Sequence, residues 1–182
     1  PLRVVLGPYP VYGDKWEPNT TGGKMFDTGF ATGFGDGWLK FGAVQIGIDG
    51  GVIGQTAALS KPYSNDPTGT HYGSFRIDQD AANQLMLKVH SNNWQAGLIC
   101  HGDRGIMRGL DAVAYARKQA PNHDLRHRLE HAYLWNPEAM DRMAELGVIW
   151  NTQPVLMEIV GREGVYTQWG DRARFAFPFR SL

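Results

Sequence analysis

Between residues 43 and 152 short apolar runs alternate with stretches of helical spacing, and that alternation leaves few folds open. Strand-like runs at 43–48, 95–100, 125–131 and 148–152 are separated by three helical patterns. In the first, Asp78 is placed as an N-cap, and Ala82, Leu85, Met86 and Val89 form one apolar face. In the second, Ile106, Leu110, Val113 and Ala114 repeat at helical spacing, and Arg117 and Lys118 suit the negative end of the helix dipole. In the third, Asn136-Pro137 gives a cap and a proline start, Ala139, Met140, Met143 and Leu146 the stripe, and Gly147 the stop. Alternation of this kind predicts an α/β fold with a parallel sheet and right-handed crossovers. The first run, Leu2-Arg3-Val4-Val5-Leu6, reads as one more short buried strand. No glycine-rich dinucleotide fingerprint follows it, which argues against a Rossmann sheet.

The other stretches carry less pattern. Residues 7–40 are rich in Gly, Pro, Asn, Thr and aromatics without a period. A loop of that length in a small domain is expected to serve function or to cover something. Residues 50–73 read as loop, and 158–182 carry no strong pattern.

With 182 residues, 42% of them hydrophobic, the chain is long and apolar enough for one domain with its own core, so 1–182 is read as a single unit. Eighteen basic and eighteen acidic residues cancel, and no basic run stands out, so no nucleic-acid or membrane-surface partner is expected. No apolar run is long enough to span a bilayer. The single cysteine, Cys100, excludes an internal disulfide and suits a reducing compartment, so a cytoplasmic setting is expected. Its apolar neighbours read as those of a buried, inert thiol. No signal peptide is visible, and the chain begins at Pro1 rather than Met, so its natural start is expected upstream.

In β/α proteins chemistry gathers at the C-terminal ends of strands. Leu125-Arg126-His127-Arg128-Leu129-Glu130-His131-Ala132 ends a strand on His131. Strict alternation puts His131, Leu129 and His127 on one face, and Glu130, Arg128 and Arg126 on the other. Asp49, Gly47 and Gln45 share a face of the strand at 43–48, and His101, Ile99 and Gly97 share one at 95–100. If those faces point inward, the mouth gathers Asp49, His101, His131 and Gln153. An Asp and two His are credible metal ligands or acid–base groups. Asp49 and Asp103 have a second reading, as caps of the turns beside Gly50 and Gly102.

Five ordered pieces resemble the amidohydrolase superfamily, in the branch called amidohydrolase family 3. They are Val44-Gln45-Ile46-Gly47-Ile48-Asp49-Gly50, then Thr56-Ala57-Ala58-Leu59 with Pro62-Tyr63, then Gly102-Asp103-Arg104. Arg126-His127-Arg128-Leu129-Glu130-His131-Ala132 follows, and then Leu146-Gly147-Val148 with Gln153-Pro154. The resemblance implies a partial (β/α)8 barrel, roughly strands three to seven, with helices outside. It implies a divalent metal, zinc by expectation, and hydrolysis of a C–N bond in an amide, formamide or urea-type small molecule. It also implies an internal segment, lacking the His-x-His pair of the first strand and the Asp of the eighth. The run Phe177-Pro178-Phe179-Arg180-Ser181-Leu182 is expected to begin the next barrel helix.

The resemblance carries His131 over directly as a ligand. The lysine position falls on Gln45, a neutral carboxamide that cannot be carboxylated, and the fifth-strand His falls on Ile99. His101 and Asp49 are the candidate replacement ligands, and Gln45 and Gln153 the candidate substrate contacts. Two functions are therefore expected to compete: a fragment of a C–N hydrolase, and a metal-free barrel that binds a small molecule or acts as a scaffold. Open sheet edges and an open inner face predict either a homo-oligomer or contact with the remainder of the same protein.

Overall fold

The computed structural model describes residues 2–9, 21–121 and 124–180. The chain opens with β1 (Val4–Leu6), α1 (Thr21–Lys24), a 3₁₀ turn at Met25–Thr28 and β2 (Leu39–Phe41). The alternation then follows as β3 (Val44–Gly47), α2 (Gln79–Ser91), β4 (Ala96–Cys100), α3 (Asp103–Gln119), β5 (Arg128–His131), α4 (Pro137–Glu145) and β6 (Ile149–Asn151). After β6 come α5 (Val155–Val160), a π-helical turn at Gly161–Val165, α6 (Tyr166–Trp169) and a 3₁₀ segment at Gly170–Phe175. The described part of 7–40 thus carries two short helical turns and a strand. The stretch 158–182, which lacked a readable pattern, is helical up to Phe175.

Strands β3, β4, β5 and β6 lie side by side in that order, all parallel. Strand β1 pairs in parallel with β2. The Gly42 N–H donates to Leu6 O at 2.7 Å and the Gln45 N–H to Pro8 O at 2.7 Å, so the run begun by β1 continues along the edge of β3. The parallel arrangement expected from the alternation is present, and the barrel is not closed. One detail needs correction: Val4, Val5 and Leu6 are exposed rather than buried, because their strand forms an edge.

The core lies between the sheet and its helices. Val44, Ile46 and Ile48 join Ala96, Leu98, Cys100 and Leu129 in one buried cluster with Leu85, Met86, Val89, Ile106, Leu110, Val113 and Ala139. The alternate residues, Gln45, Gly47, Asp49, Gly97, Ile99 and His101, fall on the opposite face by the period of two. Helix starts follow the expected caps. The Ala81 N–H donates to Asp78 Oδ1 at 2.7 Å, and the Ala139 N–H to Asn136 Oδ1 at 2.8 Å, with Pro137 in the first turn. Gly147, at φ 59°, follows α4 in the left-handed conformation that stops a helix.

One expectation fails here, and a second reaches past the described residues. Leu129 packs among the helices and His127 is buried against His90 of α2, so neither faces inward. The run 177–180 forms a bend and a turn, not a helix, and 181–182 lie outside the described residues. Among the described residues no helix is long and apolar enough to cross a membrane.

Candidate functional site

Strand β5 ends in a turn that redirects its last side chain. His131 pairs with Cys100, which faces the helices, so strict alternation would send the His131 ring the same way. His131 and Ala132 instead take positive φ values of 68° and 43°. Non-glycine residues in this left-handed region cost roughly 1–2 kcal/mol each. The Ala132 N–H donates to Cys100 O at 2.6 Å and to Glu130 O at 2.9 Å, which anchors the turn. The His131 ring lands face to face with His101, centroids 4.7 Å apart and planes 16° from parallel. Alternation thus named the right residue for the mouth while misplacing the two before it.

His101 is held from below by Asp49. That carboxylate is 1% exposed and accepts backbone N–H bonds from His101, Gly102 and Ala58, each at 2.9 Å. His101 Nδ1 lies 3.4 Å from Asp49 Oδ1. A carboxylate collecting three amides fixes the ends of β3 and β4 and the loop at Ala58 as one unit. Glycine makes the approach possible: a Cβ on Gly102 would sit 2.1 Å from Ala58 O, and one on Gly105 2.3 Å from Asp49 Oδ2. Asp103 does the same work one turn on, accepting the Ser60 N–H at 2.9 Å and the Ser60 hydroxyl. The turn cap expected of Asp49 is not what it makes: the Gly51 N–H donates to Thr56 Oγ1 at 3.0 Å and the Gly50 N–H to Ser74 O at 3.3 Å, while the carboxylate takes amides distant in sequence.

His131 Nδ1 lies 2.9 Å from Gln153 Oε1 and 2.9 Å from the Tyr133 hydroxyl. A carboxamide oxygen only accepts, so that bond places the proton on Nδ1 and leaves the Nε2 lone pair as the ring's acceptor. Burial, then the neighbouring His101, holds the His131 pKa below its ordinary value, which keeps the ring neutral. Burial pushes the Tyr133 phenol up to about 12, so it stays protonated. Tyr133 was not singled out from the sequence, although it directly follows the motif that ends at Ala132. Its ring packs on Phe177 at 4.7 Å between centroids.

Gln45 lies deeper. It pairs with Gly97, four residues before His101, which at about 3.3 Å per residue is roughly 13 Å along the strand. A Cβ on Gly97 would come within 2.6 Å of Glu130 Oε1 and 2.7 Å of Gln45 Nε2, so both side chains close over that glycine. Glu130 bonds Arg128 Nη2 at 2.7 Å and accepts from the Asn151 amide. Gln45, Glu130, Arg128 and Asn151 thus form a polar layer inside the sheet, beneath the histidines. The structure brings together Asp49, His101, His131 and Gln153, and leaves Gln45 in this lower layer. Cys100 is fully buried, and burial pushes its thiol well up, as for an inert side chain.

These residues do not compose a complete metal site. Among the described residues no three His, Cys, Asp or Glu side chains are grouped to hold an ion. Imidazole lone pairs lie in the ring plane, and the near-parallel planes of His101 and His131 do not meet within the bond length of about 2.1 Å that a shared metal requires. Asp49 is committed to three amides, and Ile99 offers no donor atom. With Nδ1 held by Gln153 and Tyr133, His131 offers Nε2 as a donor.

Comparison with known proteins points to the same family as the motifs. The model of the amidohydrolase family matches residues 1–182. A putative amidohydrolase of Bacillus subtilis (strain 168), YtcJ, is 27% identical over 150 residues, covering 80% of this chain and 26% of that protein. The crystal structure of an uncharacterized metal-dependent hydrolase from Pyrococcus furiosus superposes with a TM-score of 0.70 at 25% identity, covering 85% of this chain and 31% of that one. Its counterpart from Pyrococcus horikoshii OT3 gives a TM-score of 0.73 at 24% identity, over 87% and 31%. The chain therefore spans about a quarter of its curated relative (26%) and 31% of each solved structure. On the full-length match of the family model, with the fold and the ordered motifs beside it, this chain belongs to the amidohydrolase family.

Proposed function

We propose that the protein containing this chain is a hydrolase of C–N bonds acting on an amide, formamide or urea-type small molecule, and that this chain supplies one side of its active-site mouth. The observation that carries the reading is His131: neutral, at a strand end, with Nδ1 held by Gln153 and Tyr133 and Nε2 left to act. The relatives described as metal-dependent support a divalent cation in the whole protein, with zinc the expected identity. This chain would contribute His131 to it, and the other ligands would come from outside these residues. A cytoplasmic setting is part of the reading, supported by one unpaired, buried cysteine.

The test is turnover by the full-length protein, supplied with zinc, on a panel of N-acyl, N-formyl and ureido compounds. Hydrolysis should be seen, and His131→Ala should lower kcat/KM by about 100-fold or more. Full activity in that variant would refute the assignment.

A second reading is favoured by Gln45 and Ile99, which stand where the family resemblance implies ligands, and by the parallel histidine rings. It is a metal-free barrel that binds a small molecule or serves as a scaffold. Absence of any turnover from a full-length protein that retains no metal would establish it over the first.

A further inference from the structure

Against Phe177 lies a cavity of about 480 Å³, lined by neither histidine, that the proposed function leaves unused. It begins at Pro154, the residue after Gln153, and one wall is Phe177, whose ring packs on Tyr133 at 4.7 Å. One aromatic layer therefore separates it from the hydroxyl that touches His131. Its size falls within the range of small-molecule sites, about 300–1,000 Å³.

Two local departures from regular backbone shape this space. Between α5 and α6 the helix widens into a π-turn at Gly161–Val165, and both end residues line the cavity. Inserted π-turns of this kind occur frequently at functional sites. Phe177 takes a positive φ of 50°, a strained conformation for an aromatic residue, and its N–H donates to Tyr133 O at 2.9 Å. That strain places its ring between the site and the cavity.

The lining gives the ligand chemistry. Met157, Val165 and Phe177 make an apolar wall. Arg174, its guanidinium 4.8 Å over the Phe175 ring, supplies a positive charge to the lining, and it makes no ion pair among the described residues. Glu158, on the same wall, already has a partner. A guanidinium beside an apolar slot selects a carboxylate carried on an apolar or aromatic body.

We propose that this cavity holds one arm of the substrate, an apolar or aromatic group ending in a carboxylate that pairs with Arg174. The assignment rests on the hydrolase reading for what happens to the ligand, and on the cavity alone for how it binds. The reactive C–N group would then lie toward Gln153 and His131.

The test is calorimetric titration of the 182-residue chain with 3-phenylpropanoate and with its neutral twin, 3-phenylpropanamide. The carboxylate should bind saturably, one per chain. The amide, and the carboxylate on Arg174→Gln, should bind at least about tenfold more weakly. Arg174 is exposed, so the variant should keep its fold, which circular dichroism checks. No binding, equal binding of the two compounds, or indifference to Arg174→Gln overturns the proposal. No bond breaks in this measurement. A chain that binds, from a protein that hydrolyses nothing, sinks the hydrolase reading and leaves the cavity standing. Hydrolysis without such binding does the reverse.

Discussion

His101 and His131 come from adjacent strands and stack as a pair, 4.7 Å between centroids and 16° from parallel. Face-to-face imidazoles repel when both are charged, and their lone pairs do not converge on one ion. The 182-residue chain should therefore retain well under one zinc after dialysis, as read by elemental analysis. One zinc per chain, lost on His131→Ala, would show that the rings rotate into a shared site.

Asp49 gives a stability prediction. Its carboxylate satisfies three amides in a site with almost no water access. Asp49→Asn keeps the shape but turns an amide donor toward N–H groups. We expect a loss of about 2–4 kcal/mol in urea denaturation. A change below roughly 0.5 kcal/mol, within the range of ordinary surface substitutions, would mean the amides find other partners.

The His90–His127 pair predicts acid sensitivity. The Ala96 N–H donates to His127 Nδ1 at 2.9 Å, so the His127 proton sits on Nε2, 2.9 Å from His90 Nδ1. His90 Nε2 lies 2.9 Å from Ala120 O. One proton more sets donor against donor. Burial, then His90 and Arg117, brings His127 down to about 3 against Asp124, from an ordinary 6.5. The unfolded chain thus takes the proton first. Stability from this source is complete above 6.5 and is lost as pH falls toward 3. Between pH 7.5 and 5 the loss should be about 2 kcal/mol. His127→Gln should flatten urea midpoints over that window; an unchanged slope would assign the loss to carboxylates.

Exposed apolar surface predicts association. Val5, Trp38 and Leu39 lie open around the β1–β2 edge, and Val155 and Ile159, one turn apart, lie open on α5. We propose that either a second copy or the rest of the same protein covers them. Sedimentation velocity of the 182-residue chain should show weight rising with concentration, and the full-length protein should show less of this. A stable monomer at high concentration would count against it.

The alternation of strands and helices was legible because each helix carries its own cap and stripe, as Asp78, Asn136 and Gly147 show. Asp49, His101, His131 and Gln153 were legible as strand-end residues, and they do converge. What the sequence hid has local causes. The inward direction of His131 depends on two left-handed residues, His131 and Ala132, and neither is a glycine that would announce it. Tyr133 matters through that same turn. The helical character of 161–175 was masked because a π-turn and a 3₁₀ segment break the 3.6-residue period.

The turn at His131 and Ala132 separates the sidedness of a strand's end from that of its middle. His127 and Leu129 answer to the helices behind the sheet, and His131 answers to the mouth. Libraries at positions 127 and 129 should move thermal stability while sparing whatever the mouth binds. Ala132 belongs to both: it is fully buried in the core beside Leu129 and it holds the positive φ of the turn, so a library there should move stability and binding together. Robustness and specificity are thus written into alternate letters of one strand and meet at the residue that turns it.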